Sequence, residues 1–421
     1  MATFIEKARS HFPSLQSGFI FADNAGGSQC AKYVVDRISD YLLNTNVQLG
    51  ADYSVSVEST QRVASGAVAT ATLINAASPN EIAFGASSTL NVDNLARALE
   101  GDVRDDEEII ITGEHEANGG PWKKLAKRKG LDVKYWRPRV SSPNNPYSVV
   151  HEVHDLLPLI TAKTRVIAFS ACSNILGSIV PVKEVIAAAR AKAKEVGTRN
   201  IEFSVDCVAY APHRRINVRD WDVDYCVFSY YKVYGPHISA LYARSSSLQN
   251  SLTPLTHHFL RVDDTSYKLQ PGGPGYETVY GTTGVLEYLR ALTPSGDLDD
   301  AFAAIAEHEQ ALVEPLLAYL LSQESRGVRI VGDERGGLSR APTVSFVIVG
   351  ERPIKSKEVV RAFDQKGGVG IRYGHFYAYT LVDELEPKLD IDDAVVRISL
   401  VHYNTVQEVE KIISILNEVL A

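Results

Sequence analysis

The stretch Val223-Asp-Tyr-Cys-Val-Phe-Ser-Tyr-Tyr-Lys-Val-Tyr-Gly-Pro-His237 is an apolar, β-type run that ends in hydroxyl groups, one lysine and a Gly-Pro turn. Lysine is almost never fully buried without a partner. Lys232 therefore has two interpretations. Either its side chain extends from the strand end into solvent, or its amine lies in a partly desolvated pocket. In such a pocket an amine loses its proton readily and can condense with an aldehyde. This stretch alone leaves both interpretations open.

Around this stretch, short apolar runs alternate with helical segments between residues 81 and 243. This alternation predicts an α/β fold with a mostly parallel sheet that is covered by helices on both faces. Ligands of such sheets bind beyond the carboxyl ends of the strands. Helices are predicted over 149–160 and 182–196, and another is expected to open at 119–121 with a proline near its first position.

A Gly/Pro segment at 269–275 interrupts the alternation and precedes a long helical region and a smaller α/β unit. The last helix of that unit begins with Thr405-Val-Gln-Glu408, a capping-box pattern. We predict an N-terminal segment (1–20) that packs with the small domain, a large ligand-binding domain (21–285) and a small C-terminal domain (286–421). A chain of 421 residues, 45% of them hydrophobic, is long enough for this organisation.

Composition excludes several classes of protein. The formal net charge is −8 and basic runs are absent, which argues against nucleic acid as a partner. No stretch is apolar over the length that a bilayer requires, so no membrane association is expected. The four cysteines are scattered without metal-ligand spacing, which predicts neither a disulfide framework nor a metal site. We therefore expect a cytoplasmic protein.

Four features follow predicted strands of the large domain and should converge. Gly85-Ala-Ser-Ser-Thr89 opens a helix, where free N–H groups, the hydroxyls of Ser88 and Thr89 and the helix dipole suit a phosphate. Ordinary helix capping is the alternative. The second feature, His115, is suited to stacking on a flat cofactor or to proton transfer, or it is an unremarkable loop histidine.

Asp206 ends an otherwise apolar strand, and a buried carboxylate needs a cation or hydrogen bonds to stay charged. A protonated pyridine nitrogen is such a cation. The fourth feature is Lys232 itself, beside Ser229 and Tyr231, whose hydroxyls can bind phosphate oxygens. Together these features suit pyridoxal 5'-phosphate.

At this point the chain resembles a known family. The segments "FSYYKVYGPHISALY", "GEHEANGGPW", "SACSNILGSIVPV" and "VVRISLVHYNT" are similar, in the order of the family, to the cysteine-desulfurase branch of the class V aminotransferases. That resemblance covers nearly the whole chain. It implies the type I fold of pyridoxal-phosphate-dependent transferases, and a homodimer whose active sites lie at the interface.

The resemblance also implies roles for individual residues. Lys232 would form the internal aldimine and Asp206 would hold the pyridinium, while His115 would stack on the ring and take part in proton transfer. The remaining assignments are ring-hydroxyl binding by Asn174, phosphate binding by Ser88, Thr89, Ser229 and Tyr231, and substrate binding by Arg397, Arg372, Tyr377 and Asn24. A surface ion pair is the alternative for Arg397.

Four departures from the family accompany these matches. Ala209 stands where desulfurases have glutamine, and Tyr231 stands where many have histidine. Gly273 falls at the position of the threonine that reaches the partner subunit's phosphate, where only its backbone could serve. Tyr377 occupies the place of the nucleophilic cysteine, and no other cysteine is expected near it. Because tyrosine cannot carry a persulfide, the resemblance supports the cofactor and argues against desulfuration.

The predicted function is therefore a pyridoxal-phosphate-dependent enzyme that generates a carbanion at Cα of an α-amino acid derivative. Two outcomes are favoured. One is elimination at the β or γ carbon (a C–S or C–X lyase), and the other is C–C bond-forming cyclisation of the loline type, in alkaloid metabolism. Sulfur transfer without the cysteine, epimerisation and transamination are alternatives. Outside enzymes, the alternatives are a relative that retains the cofactor for structure or binding, and a nucleotide-binding α/β protein.

Overall fold

The structure, a computed structural model, describes residues 3–256 and 265–421. The first two residues of the predicted N-terminal segment and residues 257–264 of the predicted large domain lie outside the described residues.

The strands, numbered along the described chain, are β1 (Ile20–Phe21), β2 (Ile82–Gly85), β3 (Glu108–Thr112), β4 (Asp132–Trp136), β5 (Arg139–Ser142), β6 (Asn145–Val150), β7 (Thr164–Ser170), β8 (Glu202–Asp206), β9 (Tyr225–Ser229), β10 (Ser239–Ala243), β11 (Val328–Val331), β12 (Thr343–Ile348), β13 (Val369–Gly370), β14 (Arg372–Gly374) and β15 (Val395–Ser399). The helices are α1 (Phe4–Ser10), α2 (Lys32–Asn44), α3 (Ser54–Leu73), α4 (Ser88–Leu99), α5 (Glu116–Lys129), α6 (Val153–Leu156), α7 (Val182–Val196), α8 (Ser245–Asn250), α9 (Thr265–Leu269), α10 (Tyr276–Ala291), α11 (Leu298–Ser322), α12 (Ser356–Lys366), α13 (Tyr379–Asp383) and α14 (Val406–Leu420).

The larger sheet is mostly parallel, as the alternating pattern predicts. Its order is β2-β10-β9-β8-β7-β3-β4, and only β10 runs antiparallel to its neighbours. Successive residues of a strand point to opposite faces, so Ile167 and Phe169 of β7 enter one hydrophobic cluster while Val166 and Ala168 enter another. Burial on both faces explains why these strands are continuous apolar runs.

This topology sets the position of the functional loops. Both β2 and β9 are antiparallel to β10 and therefore parallel to each other. The carboxyl ends of β2, β3, β7, β8 and β9 consequently lie at the same edge of the sheet, where they bring together the segments that follow them in the chain.

A second, antiparallel sheet has the order β11-β12-β15-β14. Residues of its inner face pack with α11, α12 and α14 in one hydrophobic cluster. The short strand β1 pairs with β13 of this part of the chain through Ile20↔Val369 and Phe21↔Gly370.

The N-terminal segment contacts both parts of the molecule. Arg9 donates hydrogen bonds to the carbonyl of Tyr403 (2.7 Å) and to Glu408 (2.9 Å), near and in α14. Phe12 and Leu15 are buried in the cluster that also holds the residues of β8 and β9. The division into domains stays a prediction.

Two predicted helices differ from the observed elements. The segment 149–160 is not one helix: β6 extends to Val150 and pairs with β5, and only the short α6 and a 3-10 turn at Leu157–Leu159 follow. Pro158 lies in that turn and removes a backbone donor. Helix α5 begins at Glu116 rather than at 119–121, because the His115 side chain caps it, and Pro121 lies inside it.

Within the described ranges, none of the helices is both long enough and apolar enough to cross a lipid bilayer.

Candidate active site

The loops at the carboxyl edge of the larger sheet enclose an inner cavity of about 520 Å³. Lys232, Asp206, His115, Asn174 and the hydroxyl residues of the predicted phosphate site all line it, which the strand-end argument anticipated. The complete lining is Ser87, Ser88, Thr89, His115, Ala117, Ser170, Cys172, Asn174, Asp206, Val208, Ala209, Ser229, Tyr231 and Lys232.

Lys232 is buried, with 5% of its surface exposed, so its side chain does not extend into bulk solvent. It ends the 3-10 turn Tyr230–Lys232 that directly follows β9. Burial, and next the positive charge of Arg397, lower the pKa of its amine to about 8, against the opposing effect of Asp206. About a tenth of the amine is therefore unprotonated at pH 7, far more than for an ordinary lysine. The unprotonated amine is the form that attacks a carbonyl carbon.

Asp206 is a buried carboxylate at the end of β8. One of its oxygens accepts a hydrogen bond from the N–H of Val208 at 2.8 Å. Burial raises its pKa to about 6, although this hydrogen bond and the charge of Lys232 both favour the ionised form. A cationic ring nitrogen in the cavity would supply the charge partner that this carboxylate lacks. Ala209 lines the same wall and offers no side-chain donor there.

His115 is held as a neutral ring. Its Nδ1 accepts a hydrogen bond from the N–H of Ala117 at 3.1 Å as the cap of α5, so the ring proton is placed on Nε2. Burial, followed by the charges of Lys232 and Arg397, lowers its pKa to about 4. A neutral ring in this wall is suited to stacking on a flat ligand.

Hydroxyl groups and a helix N-terminus form the other end of the inner cavity. Ser88 and Ser229 share a hydrogen bond of 2.6 Å between their Oγ atoms, and Ser239 lies 2.7 Å from Ser229 and 3.2 Å from Ser88. Ser87 caps α4 through the N–H of Leu90 at 3.2 Å. The first N–H groups of a helix have no partner within it, and with these hydroxyls they suit a phosphate group.

Asn174 carries an unpaired atom in this cavity. Its amide Nδ2 donates to the carbonyl of Phe376 at 3.0 Å. Its Oδ1 is buried and has no hydrogen-bond partner within the described residues. Buried polar atoms are rarely left unpaired, so this oxygen indicates that a ligand belongs in the cavity.

An outer cavity of about 980 Å³ continues from the inner one toward the smaller sheet. It is lined by Ala25, Gly26, Thr89, His115, Glu116, Ala117, Asn174, Tyr231, Lys232, Arg372, Phe376, Tyr377 and Arg397. The predicted substrate residues Arg397, Arg372 and Tyr377 are therefore brought together with Lys232.

Arg397 is buried in β15 and is not a surface residue. Its Nη2 donates to Asp23 at 2.9 Å, its Nη1 donates to the carbonyl of Asn174 at 3.2 Å, and its Nε is buried with no partner in the described part of the chain. Burial lowers the pKa of its guanidinium, while Asp23 raises it. Asp23, which the sequence analysis did not select, is thus part of the site.

Tyr377 lies on a strained loop that lines the outer cavity. Phe376 and Tyr377 both have positive φ values, +48° and +62°, which non-glycine residues seldom adopt. The carbonyl of Tyr377 accepts from the N–H of Glu116 at 2.9 Å. The Tyr377 side chain is 68% exposed, and its ring centre lies 5.5 Å from that of His115. Such strain is concentrated at functional sites.

Two predicted site residues lie elsewhere. The amide of Asn24 is buried and donates to the carbonyls of Phe21 (2.7 Å) and Ser399 (3.0 Å), while its Oδ1 accepts from the hydroxyl of Tyr403. Internal hydrogen bonds use its polar atoms, and it lines neither the inner nor the outer cavity. Gly273 lines a separate cavity of the same chain, together with His237.

A cysteine that the sequence analysis did not select, Cys172, lines the inner cavity. Burial raises the pKa of its thiol to about 12, and its nearest acceptors are the carbonyls of Ser173 (3.7 Å) and Gly177 (3.9 Å). Because the thiolate is the reactive form of cysteine, Cys172 does not replace the nucleophile that Tyr377 displaces.

Residues 20–412 match the family described as aminotransferase class-V. The chain belongs to this family. The predicted family is thereby confirmed, and so is the predicted type I fold of pyridoxal-phosphate-dependent transferases, which the solved structures below support.

Several curated proteins are similar to the chain over almost its whole length. It is 40% identical to the aminotransferase-like protein FGM3 of Gibberella zeae, over 99% of this chain and 98% of that protein. It is 32% identical to the cysteine desulfurase-like protein ustD of Aspergillus flavus, over 99% of this chain and 90% of that protein. A 32% match to the nonribosomal peptide synthetase-like enzyme fsqF of Aspergillus fumigatus covers 98% of this chain but only 26% of that longer protein.

Solved structures confirm the fold. The chain aligns with the apo cysteine desulfurase of Thermococcus onnurineus with a TM-score of 0.82 at 22% identity, covering 100% of this chain and 99% of that one. The cysteine desulfurase CsdA of Escherichia coli gives a TM-score of 0.80 at 22% identity, with the same coverage.

Proposed function

We propose that this chain is a pyridoxal-phosphate-dependent enzyme that acts at Cα of an α-amino acid derivative. The observation that carries the proposal is the amine of Lys232, which is buried with a pKa of about 8 in the cavity that also holds the carboxylate of Asp206. A buried lysine in a purely structural role would normally be paired and charged. A buried aspartate in such a role would normally have a cation or several hydrogen bonds beside it.

The inner cavity fits the cofactor. Lys232 would hold its aldehyde carbon, Asp206 its ring nitrogen and the neutral ring of His115 one face. The N-terminus of α4 with Ser88, Thr89, Ser229 and Tyr231 would hold the phosphate, and Asn174 the ring hydroxyl. When bound, the cofactor supplies an electron sink that stabilises negative charge at Cα.

Proton transfer at Cα and binding of the substrate are assigned to side chains of this chain. Lys232, once released from the cofactor, is placed to remove or return a proton at Cα. Arg397 binds the substrate carboxylate and so orients the bonds of Cα relative to the cofactor ring. Asp206 would stay ionised and pair with the ring nitrogen of the cofactor. His115 would keep its proton on Nε2 and stack on the cofactor ring.

The reaction that follows is proposed to be β- or γ-elimination, or C–C bond-forming cyclisation in specialised, alkaloid-type metabolism. Two features of the site support this over persulfide chemistry: a tyrosine at position 377 and a protonated, buried thiol at Cys172. The similarity to an aminotransferase-like protein, a desulfurase-like protein and a peptide synthetase-like enzyme of fungi is compatible with a specialised substrate.

The same proposal includes a homodimer in the cytoplasm. Helices α2 and α3 both pack on α10 and leave apolar side chains facing outward, Leu43 with 82% exposure among them. Such a surface favours a protein partner, and a second copy would bring the backbone at Gly273 to the phosphate end of the other site. The four cysteines are all free, which favours a reducing compartment.

The proposal is tested by incubating the cofactor-loaded protein with L-cysteine and dithiothreitol and identifying the products. Sulfide with pyruvate supports a lyase. A visible spectral change with larger amino acids, and no sulfide, directs the search to a cyclising reaction. Sulfide with alanine contradicts the interpretation of Tyr377, and no spectral response to any amino acid contradicts the proposed function.

A further inference from the structure

One buried hydroxyl contacts segments that follow two other strands of the molecule. Tyr234 comes two residues after Lys232. Its hydroxyl donates to the carbonyl of Pro212 at 2.9 Å and lies 2.9 Å from Nδ1 of His402. Pro212 follows β8, and His402 follows β15, the strand that carries Arg397. Tyr234 and His402 are both fully buried. The hydroxyl therefore links the turn of the buried amine to the segment that follows the strand of the buried guanidinium.

The hydrogen bonds around His402 fix its protonation. A tyrosine hydroxyl has one hydrogen, and that of Tyr234 is directed to a backbone carbonyl, so Nδ1 of His402 donates to the Tyr234 oxygen. Nε2 then accepts from the hydroxyl of Tyr288 in α10. Burial, followed by the charges of His308 and His213, lowers the pKa of His402 well below its usual value. The imidazole is therefore neutral, and both of its nitrogens are hydrogen-bonded.

The turn that carries Lys232 is closed by its own backbone. The carbonyl of Tyr230 accepts from the N–H of Val233 at 2.8 Å and from the N–H of Gly235 at 2.9 Å. Tyr234 lies within this turn with a φ of +61°, which a bulky residue adopts only where its surroundings impose it. Tyr234 and Lys232 therefore belong to one constrained unit, and the position of the tyrosine side chain bears on that of the lysine.

The turn that carries His402 is closed as well. The N–H of Val401 donates to Oδ1 of Asn404 at 3.0 Å, and the N–H of Asn404 donates to the carbonyl of Val401 at 2.9 Å. His402 lies between them, three residues after β15 ends at Ser399. The hydrogen bond between Tyr234 and His402 thus joins two constrained turns.

We infer that His402 is a positioning residue, whose hydrogen bond to Tyr234 fixes the position of Lys232 relative to β15. This inference deepens the proposed function and rests on it, because Arg397 is taken to bind the substrate carboxylate and Lys232 to move the proton at Cα. The carboxyl carbon of an amino acid is bonded directly to Cα. The separation between Arg397 and Lys232 therefore decides whether the amine reaches the Cα proton.

The test measures exchange of the Cα proton in deuterated water by NMR, on cofactor-loaded protein. L-alanine is the probe because it has no leaving group, so exchange reports proton transfer alone. In Y234F the saturating exchange rate should fall by about tenfold to a hundredfold, within the loss that ~1 Å of misplacement can cause. The alanine concentration at half-saturation should change less than about threefold, since Arg397 still binds the carboxylate.

Y288F is the matched control, because it removes the other hydrogen bond of the same imidazole. It should lower the urea midpoint of unfolding, as Y234F does, and keep the exchange rate within about threefold of the wild type. Two substitutions of the histidine separate its two nitrogens. In H402N the amide N–H replaces that of Nδ1 and should restore part of the exchange that H402F loses. In H402Q the amide extends toward Tyr288 and should not restore it.

A second readout needs no amino acid. When cofactor-free protein is mixed with pyridoxal phosphate, the growth of the visible band gives the rate at which Lys232 condenses with the aldehyde. Y234F and H402F should slow this step severalfold, whereas Y288F should not. If the wild-type protein exchanges no alanine, these rates decide, and equal rates in Y234F and Y288F overturn the inference.

Wild-type exchange rates in both Y234F and H402F overturn the inference, and so does a Y288F variant that loses as much exchange as Y234F. If Y234F does not fold, the two histidine variants decide, and exchange in H402Q as fast as in H402N overturns it. Failure of the proposed function is recognised separately, as the absence of a visible absorption band after pyridoxal phosphate is added to the wild-type protein.

Discussion

The guanidinium carbon of Arg397 lies 3.6 Å from the centre of the Phe376 ring. The same phenylalanine has its carbonyl bound by the amide of Asn174 and is followed by Tyr377 in the strained loop. Phe376 therefore contacts both Arg397, which is proposed to bind the substrate, and Asn174, which is proposed to bind the cofactor. It also belongs to the strained loop that contains Tyr377. This contact places Phe376 among the residues that keep Arg397 in position.

Removing the Phe376 ring should weaken substrate binding specifically. Phe376→Ala removes a cation–π contact worth up to about 2 kcal/mol at a desolvated site, so amino-acid affinity should fall by up to about thirtyfold while cofactor affinity is kept. Spectrophotometric titration with the amino acid and with pyridoxal phosphate measures the two affinities. Phe376→Tyr, which keeps the ring, should behave like the wild type. A similar loss of both affinities in Phe376→Ala would contradict the assigned contact.

The buried amine of Lys232 should destabilise the cofactor-free protein at neutral pH. Its pKa is about 8 in the folded state, below the ordinary lysine value of 10.5 that the unfolded chain keeps. The unfolded chain therefore binds more protons between these two values, and stability rises as pH increases from about 8 to 10.5. Lys232→Met should stabilise the cofactor-free protein at pH 7 by up to about 3 kcal/mol, the equivalent of this shift.

Urea denaturation of the wild type and of Lys232→Met at pH 7 and near pH 10 measures the effect. The difference in the free energy of unfolding between the two proteins should shrink at the higher pH. A difference that is independent of pH would show that the charge of the amine is not its cause.

Asn24 should matter for folding and not for substrate selection. Asn24→Ala leaves the buried hydroxyl of Tyr403 without its acceptor and removes the amide donor to the carbonyls of Phe21 and Ser399, which costs about 1–3 kcal/mol of stability. Thermal denaturation should show the loss. Amino-acid affinity, measured below the unfolding transition, should stay within a fewfold of the wild type, and a selective loss of that affinity would restore Asn24 to the substrate site.

Substitution of Tyr377 by glycine should change protein stability and substrate affinity in opposite directions. Tyr377→Gly removes the steric cost of a positive φ, about 1 kcal/mol, and so should raise stability slightly. Tyr377→Ala keeps that cost. Both variants should weaken substrate more than cofactor, because the ring lies above the outer cavity. Equal losses of substrate and cofactor affinity would contradict this placement.

The positions of Lys232, Asp206 and His115 were predictable because strand-end residues of a parallel sheet converge whatever the details of the connections. The role of Asp23 was not, because its contact with Arg397 joins residues 374 positions apart. Asn24 was assigned to the site because a sequence does not show which of two adjacent side chains in a turn contacts Arg397. The hairpin β5–β6 was missed because Pro143 and Pro146 interrupt its strand pattern, and prolines in a strand pattern argue against it.

The most direct test of the account is reduction of the pyridoxal-phosphate-treated protein with sodium borohydride, followed by peptide mass spectrometry. We predict one reduced pyridoxal phosphate on the peptide that contains Lys232, and none on the K232A variant. Absence of the label, or its presence on a different lysine with Lys232 unmodified, would contradict the account.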